Sequence, residues 1–275
     1  MLGLCALVAL AFSACKKVDT TPKVLSFTAT INHPTPNSKT HAMGMNNEYY
    51  LVWDEGNQIK IFNEAGEDCD YTLTSVDDEV ATFFVEDADK INFVADLETK
   101  DYTAFYPNAI IDGDDVKLEI PAEQSYKPLH SFANNIYPMV GFNNETNFEF
   151  TSDAGFLYFT FQAPENQTRQ FDRIVVTAND PTDYLAGYMV YDLNGGNYRF
   201  VGTTNVVTIK SPSKLVVVGD LLRDVTVILP LGSLWSGFSV DVYDGETCIF
   251  SKVAQPLVNI IQAMNYTEMP CQIIE

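Results

Sequence analysis

The chain has 275 residues and a formal charge of −21, because 37 acidic residues outnumber 16 basic ones. This excess argues against nucleic-acid binding and against adsorption to an anionic membrane, since both depend on Lys and Arg. The 12% aromatic content favours packed β-sheets over disorder, and the length suits one large domain or two of ordinary size.

The N-terminus has the features of a lipoprotein signal peptide. The apolar run Leu2–Phe12 is too short to cross a bilayer as a helix but suits a signal-peptide core. The residues that end at Cys15, Phe12-Ser13-Ala14, resemble a bacterial lipobox, although Phe12 replaces the usual Leu and no basic residue precedes the run. We therefore expect a signal peptide at residues 1–14, acylation of Cys15 with chains such as palmitate, and a tether at 15–21. An N-terminal core helix is the alternative.

Alternating apolar and polar residues predict half-buried β-strands along most of the chain. The clearest examples lie at residues 25–31, 116–120 and 157–161. Three runs that are apolar on both faces predict central strands: Ile174–Val176, Leu215–Val218 and Val225–Leu229. The stretch "EYYLVWDEGNQIKIF", Glu48–Phe62, predicts a hairpin that turns at Asp54–Asn57. Further tight turns are expected at Asp112-Gly113, Asn194-Gly195-Gly196 and Asp244-Gly245.

These patterns predict an all-β protein. A polar cluster, Asn143–Asn147, separates two series of strands. We expect two tandem antiparallel β-sandwich domains, at residues 22–147 and 148–275.

The sequence offers little catalytic or metal-binding chemistry. His33, His41 and His130 lie in predicted loops and lack the spacing of a metal site, so neither a metal nor a cofactor is predicted. Asp54 and Glu55 are adjacent on a turn, whereas glycosidase carboxylates must flank the scissile bond at about 5–10 Å. A glycoside hydrolase is therefore the weakest functional hypothesis.

Apart from Cys15, three cysteines follow the predicted signal peptide: Cys69, Cys248 and Cys271. An exported protein meets an oxidising environment, and three cysteines allow one internal disulfide. Cys248 with Cys271 is the predicted pair, because both lie in the final β segments, and three free thiols are the alternative.

The Trp53 segment is the first of an ordered series of recognisable segments. The others are "ATFFVED" (Ala81–Asp87), "DYTAFYPNA" (Asp101–Ala109), "VKLEIPAEQSY" (Val116–Tyr126), "YPMVGF" (Tyr137–Phe142), "GFLYFTF" (Gly155–Phe161) and "DYLAGYMVYD" (Asp183–Asp192). In content and order, this series resembles the fimbrillin-like family, the pilus and surface subunits of Bacteroidales bacteria. The resemblance implies two β-sandwiches of the fimbrillin, transthyretin-like type. It also implies a non-enzymatic lipoprotein anchored in the outer membrane or built into a fimbrium. Asp19-Thr20-Thr21 resembles the O-glycosylation motif of this bacterial group, which makes Thr20 a predicted glycosylation site.

The resemblance implies assembly by strand donation to other fimbrial subunits, or adhesion to a host or bacterial receptor. In the family's best-known branch, cleavage after an Arg releases the first strand, here Val24–Ile31. The first Arg of this chain is Arg169, and Lys39 lies in the corresponding loop. We therefore expect the first strand to stay in place. The C-terminal "YTEMPCQIIE" is a predicted donor, with Met269, Cys271 and Ile273 on its apolar face.

The alternative function is carbohydrate binding at the cell surface, in which Trp53, Trp235 or exposed Tyr residues stack on sugar rings. Buried Trp side chains and a pairable sheet edge would favour assembly over this alternative. An exposed aromatic platform would favour sugar binding.

Acylation can be tested by removing its acceptor. We expect Cys15→Ala to release the protein from the membrane fraction, since the lipid on Cys15 would supply its membrane affinity. Cell fractionation followed by immunoblotting measures this, and a variant that stays membrane-bound would contradict the lipoprotein prediction.

Overall fold

The computed structural model describes residues 26–31, 43–45, 48–50, 53–63, 66–77, 80–85, 102–107, 109–128, 131–143, 147–219 and 223–275. Cys15, Thr20, Lys39 and the three histidines lie outside these ranges. The described residues form strands, confirming the all-β prediction: β1 Ser26–Ile31, β2 Met43–Met45, β3 Glu48–Tyr50, β4 Gln58–Asn63, β5 Asp68–Asp77, β6 Val80–Phe84, β7 Tyr102–Tyr106, β8 Ile110–Asp112, β9 Asp115–Ile120, β10 Glu123–Ser125, β11 Met139–Asn143, β12 Asn147–Thr151, β13 Ala154–Gln162, β14 Thr168–Ala178, β15 Ala186–Asp192, β16 Tyr198–Thr204, β17 Val206–Val218, β18 Arg223–Pro230, β19 Phe238–Asp244, β20 Thr247–Ala254, β21 Tyr266–Glu268 and β22 Gln272–Ile273. Within the described residues, no helix is long and apolar enough to span a membrane.

Seven strands close into a barrel in the order β1-β12-β11-β7-β4-β5-β6. Within it β1 runs parallel to β12 and antiparallel to β6. Phe27 and Ala29 of β1 point inward and are buried, as their alternation predicts. The Phe27 ring meets Tyr71 edge-on, with centroids 5.0 Å apart, so β1 contributes to the aromatic core as well as to the sheet.

Trp53 belongs to this core and is 7% exposed. Its ring lies edge-on to Phe83, Tyr106 and Phe150, at centroid distances of 5.1, 5.2 and 5.3 Å. The following residues form the predicted turn, in which the Asn57 amide donates to the Asp54 carbonyl at 3.0 Å.

The predicted hairpin across this turn is wrong. Strand β3 pairs with β2, while β4 pairs with β5 and β7. The turn therefore directs the chain from one sheet to another. The Trp53 side chain, just before the turn, packs in the barrel core. Local turn chemistry indicated the bend correctly but carries no information about which strands pair.

A four-stranded sheet, in the order β16-β15-β9-β8, lies against the outside of the barrel. Tyr191 of β15 packs on Phe105 of β7 at 5.4 Å. The predicted turns at Asp112-Gly113 and at Asn194–Gly196 join neighbouring strands of this sheet. Gly113 and Gly196 have φ of 64° and 63°, the conformation for which glycine is favoured.

The C-terminal half is a sandwich of two sheets. One has the order β10-β17-β14-β19-β20, and the other consists of β18, β13 and the pair β21 and β22. Their facing side chains form a second core, separate from the barrel core. The predicted Asp244-Gly245 turn joins β19 to β20. Most pairs are antiparallel, but β10 with β17 and β13 with β21 and β22 are parallel.

Strand β13 is buried on both faces, which corrects the prediction of a half-buried strand at 157–161. Leu157, Phe159 and Phe161 point into the second core, and Tyr158 and Thr160, on the opposite face, are also buried. Sequence alternation therefore underestimated how completely this strand is enclosed. The run Val225–Leu229 in β18 is buried on both faces, as predicted.

The predicted boundary between residues 147 and 148 does not follow the strand pairing. Asn143 ends β11 and Asn147 begins β12, and these two strands pair antiparallel within the barrel. The polar cluster therefore connects two neighbouring strands of the barrel. Strands β9 and β10, from the first half, pair with β15 and β17 of the second, so the two halves share sheets.

The two open sides of the C-terminal sandwich are each bridged by a glutamine. On one side, Gln124 of β10 reaches across to β18. Its Nε2 donates to the Ile228 carbonyl at 2.8 Å, and the Ile228 amide donates to its Oε1 at 3.0 Å. The buried Gln124 amide thus replaces a neighbouring strand along the free edge of β18.

This bridge can be tested by Gln124→Met, which keeps the side chain's length but removes both hydrogen bonds to Ile228, together with a weaker one to the Pro121 carbonyl. We expect the free energy of unfolding to fall by about 3 kcal/mol, because a buried amide and carbonyl of Ile228 lose their partners. Urea denaturation measures the change. Glu123→Met, on the exposed side of the same strand, is the control; it removes only an exposed ion pair with Lys210 and should cost no more than about 1 kcal/mol.

Candidate functional site

The C-terminal tail, residues 265–275, forms the second edge of the sheet that contains β13. Strands β21 and β22 both run parallel to β13. The Met269 amide donates to the Tyr158 carbonyl, and the Ile274 amide to the Gln162 carbonyl, both at 2.9 Å. The predicted donor segment therefore lies in the chain's own sheet.

The inward-facing residues of the tail differ from the prediction. Glu268 is opposite Tyr158 and Gln272 is opposite Phe161. An advance of four residues along the tail therefore matches an advance of only three along β13. The extra residue falls around Pro270, which has no amide hydrogen to pair, and it reverses the alternation beyond it. Met269 is buried as expected, but Ile274 is fully buried and Ile273 is 53% exposed.

The tail is also bound to the opposite sheet. Lys252 of β20 donates from Nζ to Oε1 of Gln272 at 2.7 Å, and Gln272 is buried. This contact bridges the sandwich on the side opposite Gln124. The tail is thus held by backbone pairing, by two buried apolar side chains and by one polar bridge.

Strand β1 is the second element that bears on assembly. It is flanked on both sides within the barrel, and the Thr28 hydroxyl donates to Asn147 Oδ1 at 3.0 Å. Because Phe27 and Ala29 fill the barrel core, loss of β1 would open an apolar groove bordered by the unpaired edges of β6 and β12.

The predicted Cys248–Cys271 disulfide is absent from the structure, in which Cys69, Cys248 and Cys271 are free thiols. Cys248 lies on β20 and its Sγ contacts the Phe250 carbonyl at 3.3 Å. Cys271 follows Pro270 and its Sγ contacts Gln162 Oε1 at 3.7 Å. The two cysteines therefore belong to opposite sheets and have different partners.

Of the two tryptophans predicted to stack on sugars, Trp235 is the accessible one, with 43% of its surface exposed, and Tyr184 and Tyr198 are exposed as well. Trp235 lies in a loop, residues 231–237, that is held by the buried carboxylate of Asp183. This carboxylate accepts hydrogen bonds from the Leu234 amide at 3.1 Å, the Ser236 amide at 3.0 Å and the Ser236 hydroxyl at 2.8 Å. Asp183 begins the "DYLAGYMVYD" segment, but its role as a loop anchor could not be inferred from sequence.

A second loop, residues 255–261, lies beside the first. The Leu257 amide donates to the Trp235 carbonyl and the Ile261 amide to the Ser233 carbonyl, both at 3.1 Å. Leu257 has φ of 62°, an unfavourable conformation for leucine that costs about 1–2 kcal/mol. The two loops and the adjoining end of β20 form what we call the apolar loop surface, made of exposed side chains: Leu231, Trp235, Val253, Leu257, Val258 and Ile260.

A further surface feature is a cleft of about 390 Å³ beside the barrel, lined in part by polar and acidic groups. Asn63, Asp68, Thr103, Asp114 and Asn194 contribute to its lining. Among the described residues, no group of His, Cys, Asp and Glu side chains is arranged to hold a metal ion. Asp54 and Glu55 lie at the turn after Trp53, away from this cleft's lining.

Two solved structures are similar to this chain at low sequence identity. A candidate cell adhesion protein of Bacteroides ovatus is 12% identical, with a TM-score of 0.52 over 90% of this chain and 92% of its own. Another, of Bacteroides fragilis, is 11% identical, with a TM-score of 0.49 over 92% of this chain and 91% of its own. No protein-family model matches the sequence. A comparison with curated protein sequences likewise finds no match. The B. ovatus similarity establishes the fold.

The register of the tail can be tested with two adjacent substitutions. We expect Ile274→Asp to lower the free energy of unfolding by about 3 kcal/mol and to release the tail, because it buries a carboxylate without a partner. Ile273→Asp should change it by no more than about 0.5 kcal/mol, since that side chain faces solvent. Urea denaturation and carboxypeptidase digestion measure stability and tail release. Equal effects would contradict the described register.

Proposed function

We propose that this protein is a non-enzymatic cell-surface adhesin or fimbrial subunit of the fimbrillin-like kind. The observation that carries the proposal is the fold that it shares, over 90% of its length, with a candidate cell adhesion protein of B. ovatus. The order of sequence segments that resemble fimbrillin-like proteins supports it independently. On this proposal, acylated Cys15 anchors the protein in the outer membrane, and its partners are other fimbrial subunits or a host or bacterial surface receptor.

The tail supports a role in strand-mediated assembly. Strands β21 and β22 contribute three and two residues respectively, and Pro270 interrupts their pairing with β13. Such a short, interrupted edge strand requires few backbone bonds to be broken before it can pair with another subunit. The apolar anchors Met269 and Ile274 would then enter the neighbour's groove in place of the chain's own.

Strand β1 supports a terminal rather than a repeating position in such an assembly. A repeating subunit must offer an acceptor groove as well as a donor, and here β1 fills the barrel groove. No Arg precedes Arg169, so an Arg-specific protease has no site at which to remove β1. The protein would thus donate its tail without accepting another strand, or remain a monomer.

Carbohydrate binding is the second candidate function, favoured by the exposure of Trp235. An accessible aromatic ring can stack on the apolar face of a sugar, and Thr182 lies in the neighbouring turn. Trp53 does not support this role, since its ring is enclosed by other aromatic side chains. Binding of purified protein to a glycan array, lost in Trp235→Ala and retained in Trp53→Phe, would favour this second function.

The terminal position can be tested on protein taken from the native cell surface. We expect its N-terminus to be an acylated Cys15 and the protein to migrate as a single monomer band on unboiled gels, because β1 has not been removed. Mass spectrometry of the N-terminal peptide and immunoblotting measure these properties. An N-terminus at Thr40, together with a ladder of resistant multimers, would contradict the terminal position and indicate cleavage at Lys39.

The surface location itself is tested by immuno-electron microscopy of intact cells. Gold label at the cell surface or at fimbrial ends is the expected result, and the Cys15→Ala strain is the control for anchoring. Labelling that appears only after the cells are broken open would contradict the adhesin proposal, whatever the state of the N-terminus.

A further inference from the structure

The apolar loop surface stands out from the rest of a strongly acidic protein. Its two contributing segments, "LGSLWSG" (residues 231–237) and "VAQPLVNII" (residues 253–261), contain no charged residue, although the chain carries a net charge of −21. Leu257 and Val258 are each 70% exposed. Clusters of large exposed apolar side chains are uncommon on monomers and mark interaction surfaces.

The surface is preformed rather than a loose pair of loops. Backbone hydrogen bonds join the loops at Trp235, Ser233 and Gly232, and Asp183 fixes the first loop from below. Residues that need not reorder on binding lose little conformational entropy, so such a surface is suited to forming a contact.

Leu257 provides the second observation. Its positive φ is unfavourable for leucine, and its exposed side chain gains little burial within the chain to offset this. Glycine or asparagine would adopt the same backbone more easily. A leucine held in this conformation and directed to solvent is available for a contact with another molecule.

We infer that the apolar loop surface is a contact between two copies of this chain. Two copies of charge −21 repel each other, and uncharged segments allow close approach at the lowest electrostatic cost. A basic partner would instead gain by binding the acidic remainder of the surface. A two-fold contact needs one self-complementary patch, so each copy's Leu257 and Val258 can pack against the other's loops. Asp180, beside the first loop, lies at the polar rim.

Other occupants fit the surface less well. An anionic lipid layer repels a protein of this charge. Sugars require several convergent hydrogen-bonding groups beside the aromatic ring, whereas five of the six residues of the surface are aliphatic. The contact is also independent of the proposed strand exchange, because it uses neither β1 nor the tail.

The experiment is sedimentation velocity of the full chain in a neutral detergent, over a range of protein and salt concentrations. We expect a reversible dimer whose fraction rises with protein concentration and with salt, because salt screens the repulsion between the two acidic chains. Leu257→Asp/Val258→Asp should raise the dimer dissociation constant by more than about tenfold. Aspartate tolerates the left-handed backbone at position 257, so the loop can keep its conformation.

Ile110→Asp/Ile111→Asp is the control, since it adds the same charge at exposed apolar residues of β8 and should leave the dimer unchanged. A monomer under all conditions, or equal effects of the two double variants, would overturn the inference. A photo-crosslinking amino acid at position 258 gives a second test in cells. It should join two copies, and adducts with other molecules alone would overturn the inference.

Discussion

The complete enclosure of β13 is the constraint on which the rest of the structure depends. A strand that is buried on both faces cannot leave its backbone groups to water, so both of its edges need partners. One edge pairs with β18 along its whole length, and the other is completed by the tail. Strand β18, which pairs with β13, then has a free edge of its own. There the Gln124 side chain forms hydrogen bonds with the Ile228 amide and carbonyl. The two glutamine bridges and the tail therefore form one system, organised around a strand in the middle of the sequence.

The sequence predicts those parts of the fold that depend on local chemistry. Val116, Leu118 and Ile120 alternate with Lys117 and Glu119 because one face of β9 is buried and the other is not, and this pattern is visible without a structure. The turns at Asp112-Gly113 and Asp244-Gly245 are equally local, since their backbone conformations select glycine.

The features that sequence could not supply depend on distant partners. Alternation at Leu157–Phe161 suggested one exposed face, but Tyr158 and Thr160 are covered by other parts of the chain. The turn after Trp53 gave no sign that its flanking strands pair elsewhere. In the tail, one extra residue near Pro270 decides which isoleucine is buried, and a pattern of alternation cannot locate such an insertion. Likewise, both tryptophans follow apolar stretches that end in turns, so their local sequences do not distinguish them. The exposure of Trp235 and the burial of Trp53 follow from topology instead.

The position of β1 between two neighbours has a mechanical consequence. A pull on the chain ahead of Ser26 acts along the axis of β1, while its hydrogen bonds to β6 and β12 run across that axis. The bonds on both sides are then loaded together in shear instead of being opened one after another from an end. Phe27, held edge-on against Tyr71 inside the barrel, resists the same sliding movement. The first strand of the described residues is thus placed to transmit tension into the barrel core without opening the barrel.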